Sequence, residues 1–189
     1  VRGMPAIQHV EQFCEGCTLG KMHRTPFPRA SAYRAEQGLE LVHGDLCGPI
    51  TPATTSGNKY FLLIVDDHSR YMWLEVLRSK DEAFKFFRKI KAAAETQCGA
   101  KLRAFRTDRG GEFNSSEFTA YCEEHGILRN TTTPYSPQQN GVVERRNQSV
   151  VEMARSLMKS MGVPSTFWGE AVRTAVHILN RSPTRSLQG

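Results

Sequence analysis

No run of eighteen apolar residues occurs in the chain, which excludes an evident membrane-spanning helix. Residues 1–7 lack the apolar core of a secretory signal. Cysteine is scarce, with Cys14, Cys17, Cys47, Cys98 and Cys122 thinly spread after the first pair. An odd, scattered set does not organise a disulfide scaffold and points to a reducing compartment. Low-complexity tracts are also missing. Apolar residues make up 39% of the chain and charged residues 23%, a globular composition.

Charge is present and unevenly placed. The net charge is +6. From residue 137 onward seven Lys/Arg stand against three Asp/Glu, whereas residues 45–136 hold thirteen against twelve. A positive field concentrated in the last quarter favours a polyanionic partner. The length of 189 residues suits one α/β domain with a small appendage. Val1 is an unusual natural start and residues 182–189 read as loop, so the chain is expected to be a fragment of a longer protein.

Residues 1–33 are poorly periodic and punctuated by Pro5, Gly16, Gly20, Pro26 and Pro28, which sets a domain boundary near 30–37. Beyond it the pattern predicts a strand ending at Asp45, an apolar strand over 59–66 and a strand over 71–77, the last two as a hairpin. Residues 81–97 have helical spacing, with Ala83, Phe84, Phe87, Ile90 and Ala94 inward and Lys85, Arg88, Lys89 and Lys91 largely outward. A strand over 102–107 follows, then a helix capped by Ser115 or Ser116 and ended by Gly126, and a strand over 127–131. A polar loop over 132–141 precedes a long helix over about 142–161 and a last helix over 167–179. Three antiparallel strands followed by strand–helix alternation predict a mixed α/β sheet with helices on both faces.

Three carboxylates stand out by position. Asp45 closes the first strand, Asp108 follows the strand after the first helix, and Glu144 lies one turn into the long helix. Ends of neighbouring strands at a topological switch point form a site, and the long helix can bring Glu144 to it. Carboxylates held close together repel, and a divalent cation resolves the conflict. Oxygen ligands suit Mg²⁺ or Mn²⁺, and a pair of such ions can clamp the attacking and leaving oxygens of a phosphodiester displacement. The plainer alternative for each aspartate is a turn former or a cap. Asp66 and Asp67 are rivals farther from the crossover strand, Glu112 is nearby, and Glu152 lies roughly 12 Å along the helix from Glu144.

Three segments carry a resemblance. His43-Gly44-Asp45-Leu46-Cys47-Gly48-Pro49, Thr107-Asp108-Arg109-Gly110-Gly111-Glu112-Phe113 and Ser136-Pro137-Gln138-Gln139-Asn140-Gly141-Val142-Val143-Glu144-Arg145 occur in order, with thirty-five residues between Asp108 and Glu144. The chain resembles the integrases of Copia-type (Pseudoviridae) LTR retrotransposons, in the retroviral-integrase branch of the ribonuclease-H-like superfamily with its D,D-35-E triad. That resemblance implies a ribonuclease-H-like five-stranded sheet, with Asp45, Asp108 and Glu144 as catalytic ligands of two Mg²⁺ or Mn²⁺ ions. It also implies 3′-end processing of retroelement DNA ends and strand transfer into host DNA. A homo-oligomer, dimer or tetramer at full length, is implied as well, working in the nucleus after a cytoplasmic virus-like-particle stage.

Around the trio, Gly110 and Gly111 permit a sharp strand exit or close approach to phosphate, or simply an ordinary loop. Gln139 and Asn140 in the polar loop are candidate DNA contacts, or solvated loop residues. On the long helix, Val143, Val150, Ala154, Leu157, Met158 and Met161 form the apolar side, and Arg145, Gln148, Arg155 and Lys159 face outward, as DNA-backbone contacts or a solvated face. Asn147 and Val151 fall on the border. Arg109 and Lys59 are poorer candidates. Tyr71, Trp73 and Trp168 read as core packing.

Cys14-x-x-Cys17 has metal-ligand spacing, and with His9 and His23 it could complete a zinc site. The resemblance offers another reading: Cys14 to Lys21, with Arg24 and Phe27, is similar to the second half of the integrase N-terminal zinc domain, whose two histidines lie upstream. On that reading residues 1–33 hold a partial Zn²⁺ site without a stable fold of its own, and residues 34–189 the catalytic core. Two other functions share these residues: a ribonuclease-H-type nuclease that cuts without joining, and a non-catalytic DNA-binding or assembly module derived from an integrase.

Overall fold

In the computed structural model, residues 33–108, 110–131 and 141–182 are described, Thr131 by its backbone alone. Five strands form one mixed sheet: β1 (Val42–Cys47), β2 (Tyr60–Asp66), β3 (Met72–Leu77), β4 (Ala104–Thr107) and β5 (Leu128–Thr131). The spatial order is β3-β2-β1-β4-β5. β1 pairs antiparallel with β2, and β2 with β3, while β4 runs parallel to both β1 and β5. The helices are α1 (Ala83–Cys98), α2 (Ser116–Glu124), α3 (Gly141–Ser160) and α4 (Trp168–Leu179).

The apolar run of β2 is explained by burial on both faces. Leu62 and Ile64 join Phe87 and Ile90 of α1 and Phe118 of α2 in one core cluster. Phe61, Leu63 and Val65 point the other way, into Val143, Val150 and Ala154 of α3 and Val172 and Ala175 of α4. The fold is therefore the expected mixed five-stranded sheet with helices on both faces. Ring packing fixes the first cluster: Phe105 of β4 lies 4.6 Å from Phe87 and 5.4 Å from Phe113, centroid to centroid. Gly44 makes room for it, since a Cβ there would stand 2.4 Å from the Phe105 ring.

The Ser115 cap matches the sequence signal, and Gly99 was not singled out there. The Ser115 hydroxyl accepts the Phe118 amide at 3.1 Å and starts α2, and Gly99, with φ of 65°, ends α1. The outer edge of the sheet is closed in part by a side chain. Asn180 accepts the Met72 amide at 2.9 Å and donates to the Met72 carbonyl at 2.8 Å, as a neighbouring strand would.

Three expectations are corrected. Asp45 is the fourth of six residues in β1, not its end; what ends near it is the parallel ladder to β4, whose last pair is Gly44 with Thr107. Lys91 is buried, not outward. Its Nζ lies 6.0 Å from the Tyr121 ring centroid and reaches Glu95 at 3.1 Å, so the buried charge is paired. Tyr71 is 39% exposed, and it packs edge-on against the half-buried Trp73 at 5.0 Å on the sheet edge instead of filling the core. Trp168 does fill the core, with its indole N–H donating to the Pro52 carbonyl.

Candidate metal and nucleic-acid site

Strand alternation sends Val42 and Leu46 to the α1–α2 cluster and Cys47 to the α3–α4 cluster, so Asp45 faces α3. The helix meets it there. α3 buries Val143, Asn147, Val150 and Ala154 at helical spacing, which seats its first turns over β1 and β2. Asn147 donates from Nδ2 to Asp45 Oδ2. Glu144, one turn earlier on the same helix, is brought to the same end of the sheet. Asp108 leaves β4 next to it, with its Oδ1 accepting the Gly110 amide at 3.0 Å.

The three carboxylates feel one another. Burial pushes the Asp45 carboxyl up, the charge of Asp108 pushes it further, and the Asn147 hydrogen bond opposes both. Glu144 is raised by burial, then by Asp45 and Asp108, against a lowering by Arg145. Glu112 adds a smaller repulsion on Asp45. This donor set fits a divalent cation in chemistry, being all oxygen with an excess of negative charge. In position it is not yet closed: among the described residues no three His, Cys, Asp or Glu side chains are grouped tightly enough to hold an ion.

Asp66 and Asp67 belong to another structure. Asp66 pairs in register with Val42, three residues down β1 from Asp45. It accepts the Leu39 amide at 2.8 Å and the Ser69 amide at 2.7 Å. Asp67 accepts from Ala35 N, His43 Nε2 and Arg70 Nη1, all within 2.9 Å. Burial works to raise its carboxyl, and these donors outweigh burial and hold it far below the ordinary carboxylate range. His43 stays neutral, because burial lowers it more than Asp67 raises it. These groups brace the opposite end of β1.

Residues 35–137 match the family described as the integrase core domain. The chain belongs to that family. Among relatives, it is 45% identical over 171 residues to the retrovirus-related Pol polyprotein from transposon TNT 1-94 of Nicotiana tabacum, covering 90% of this chain and 13% of that one. To the Pol polyprotein from transposon RE2 of Arabidopsis thaliana it is 32% identical over 176 residues, covering 93% and 12%. The chain thus spans about an eighth of the length of these curated relatives. The integrase core is homologous to plant LTR-retrotransposon (Copia-type) Pol polyproteins. In fold it is similar to the HTLV-2 integrase catalytic core domain in complex with magnesium, in its dimeric form, with a TM-score of 0.60 and 21% identity over 81% of this chain and 94% of that one. A second likeness is a simian T-cell lymphotropic virus intasome in complex with the PP2A regulatory subunit B56 gamma, with a TM-score of 0.63 and 20% identity over 86% and 55%.

The integrase core leaves the remaining sequence candidates in different places. Arg145, Gln148, Arg155 and Lys159 are all exposed on α3. Gln148 donates to Glu152 at 3.0 Å, and Arg155 is near enough to Cys47 to oppose the burial that raises its thiol. Gln139, Asn140, Cys14, Cys17, His9, His23 and Arg109 lie outside the described residues. A concavity of about 1070 Å³, lined by Phe84, Lys85, Arg88, Glu112 and Tyr121 among others, includes none of the trio. Asp45 lies on the central strand, part-buried beneath α3, while Asp108 and Glu144 are exposed. Sequence reasoning missed Asn147. Its spacing of three from Glu144 and its polarity on a buried stripe were the available signals.

Proposed function

We propose that this integrase core processes the 3′ ends of retroelement DNA and transfers them into host DNA, using Asp45, Asp108 and Glu144 as ligands for Mg²⁺ or Mn²⁺. The observation that carries the reading is that α3 reaches Asp45 of β1 through Asn147, one turn from Glu144, while Asp108 follows the adjacent β4, and that burial and the neighbouring carboxylates raise Asp45 and Glu144. The names of the relatives, Pol polyproteins from transposons, support it, as do the magnesium and intasome complexes of similar structures.

Bound divalent ions would supply charge neutralisation and a polarised oxygen nucleophile. The chain's own residues do the rest. Asn147 holds one oxygen of Asp45, fixing the carboxylate plane beneath α3. Arg145, Gln148, Arg155 and Lys159 present donors along the exposed side of α3 for backbone phosphates, with Gln139 and Asn140 proposed beside them. In the first reaction, water forms a bond to phosphorus as the bond to the 3′ oxygen of the element end breaks, freeing a 3′-hydroxyl. In the second, that hydroxyl forms the new bond to a target phosphorus while the target strand's own 3′ oxygen leaves.

The wider proposal keeps residues 34–189 as the core and residues 1–33, with Cys14 and Cys17, as part of a zinc-binding segment. It places the working protein in a homo-oligomer, as in the dimeric and trimeric forms of the HTLV-2 core. The test is incubation of the chain with a matched end duplex and Mn²⁺. End-trimmed and joined products are expected, and both should vanish in a folded Asp108→Asn variant. Cleavage of an RNA–DNA hybrid without joining would favour the nuclease, DNA binding with no product would favour the non-catalytic module, and joining by Asp108→Asn would overturn the assignment.

A further inference from the structure

Asp108 lies just past the ladder that would hold it. Thr107, the residue before it, is the last of β4 to pair with β1 and with β5, and Asp108 itself is exposed. Gly110 and Gly111 come soon after, where the backbone has the most freedom to lose. A carboxylate on such a segment keeps one direction only if the segment is anchored from elsewhere. The anchor lies at the next turn. Gly111–Phe113 form a short 3-10 helix, and the buried Phe113 ring packs 5.4 Å from both Phe105 and Phe118, centroid to centroid.

Ring packing fixes the Phe113 side chain, and a second group fixes its backbone. Half-buried Arg129 stands on β5, paired in register with Phe105. Its guanidinium lies over the Phe118 ring, with Cζ 5.2 Å from the centroid, a placement that orients the plane of the fork. Nη2 donates to the Phe113 carbonyl and, at 3.2 Å, to the Asn114 side-chain oxygen. Nη1 donates to the Thr119 hydroxyl of α2 at 2.6 Å. One planar fork therefore ties the end of the 3-10 helix to the first turn of α2, which the single ammonium of a lysine could not match.

The backbone passes this hold back to Asp108. The Phe113 amide donates to the Gly110 carbonyl at 3.3 Å, and the Gly110 amide donates to Asp108 Oδ1 at 3.0 Å. Three hydrogen bonds thus lead from guanidinium to carboxylate through two peptide groups, Phe113 and Gly110. Bonds in such a chain polarise and align one another. We propose that Arg129 is a positioning residue for Asp108, holding the segment after β4 so that the carboxylate is presented to a divalent cation. It does from β5 for Asp108 what Asn147 does from α3 for Asp45. The inference rests on the metal reading above and adds to it a residue remote from the ion.

The test is titration of the chain with Mn²⁺, followed by the electron paramagnetic resonance of the free ion, with a urea midpoint for each variant. Arg129→Met keeps a stem over Phe118 and removes the donors. It should bind Mn²⁺ about 10–100-fold more weakly while folded. Thr119→Val removes one partner of the guanidinium and leaves the Phe113 carbonyl bond. It should lower the urea midpoint with Mn²⁺ affinity unchanged, which separates positioning from general bracing. In the wild type, Mg²⁺ should shift the Arg129 Nε–Hε resonance with the same midpoint as the Gly110 amide. Wild-type affinity in folded Arg129→Met, or equal losses of affinity in the two variants, overturns the positioning role and leaves the metal reading standing. If Arg129→Met does not fold, the resonance decides: a shift that saturates with that of Gly110 supports the role, and an Arg129 signal unmoved at saturating Mg²⁺ overturns it. A wild type that binds no Mn²⁺ overturns the metal reading and the positioning role together.

Discussion

Replacing Asp45 with Asn should make the integrase core more stable without metal and blind to metal. The folded-state carboxyls of Asp45 and Glu144 lie above their ordinary values, raised by burial and mutual repulsion. A group with a raised folded value binds its proton more tightly in the fold than in the unfolded chain. Stability is therefore greatest below the ordinary carboxylate value and falls as pH rises through the raised one. At neutral pH the raised Asp45 and Glu144 are a source of instability that a cation bound as proposed above would relieve. At a free Mn²⁺ concentration ten times its dissociation constant, binding adds about 1.4 kcal/mol, and a domain of this size should gain about 3–6 °C in Tm. Differential scanning calorimetry at pH 7 and pH 5, with and without Mn²⁺, reads this directly. The wild type should show the full rise at pH 7 and a smaller one at pH 5. Asp45→Asn, which keeps an acceptor for Asn147, should start higher at pH 7 and gain nothing from the metal. An equal Mn²⁺ shift in wild type and Asp45→Asn would refute the reasoning.

Asn147→Ala frees the Asp45 carboxylate and should reduce joining by about 10–100-fold through weaker metal affinity, with little change in urea midpoint. Raised Mn²⁺ should restore part of the rate. Gly44→Ala drives a Cβ to 2.4 Å from a Phe105 ring that Phe87 and Phe113 hold in place. It should cost about 1–3 kcal/mol in urea unfolding. Asp67→Asn weakens a buried acceptor for His43 and Arg70 and should cost about 3 kcal/mol at pH 7. Because the folded carboxyl is depressed, its contribution is present above the ordinary carboxylate value and fades as pH falls through the folded one. The wild-type–variant gap should accordingly shrink in acid.

Much of the fold was legible because hydrophobic period is a strong local signal. The unbroken run of β2 announced a strand buried on both faces, and the spacing of Ala83, Phe87, Ile90 and Ala94 announced α1. The start of α2 at Ser115 and its end before Gly126 followed from turn and cap residues. What escaped depends on partners distant in sequence. Lys91 looks like a surface lysine until Tyr121 and Glu95 are placed beside it. Asn180 closes the edge of β3 from 108 residues away. At the site, position in the pattern brought forward Asp45, Asp108 and Glu144. Asn147 was hidden because an amide on an apolar stripe gains meaning only when Asp45 lies under it.

The most direct measurement is anomalous scattering from crystals of the chain soaked in Mn²⁺. Peaks bounded by Asp45, Asp108 and Glu144, absent in Asp108→Asn crystals, are the expected result. Well-ordered side chains at all three positions, with manganese absent from among them at saturating concentration, would contradict the account.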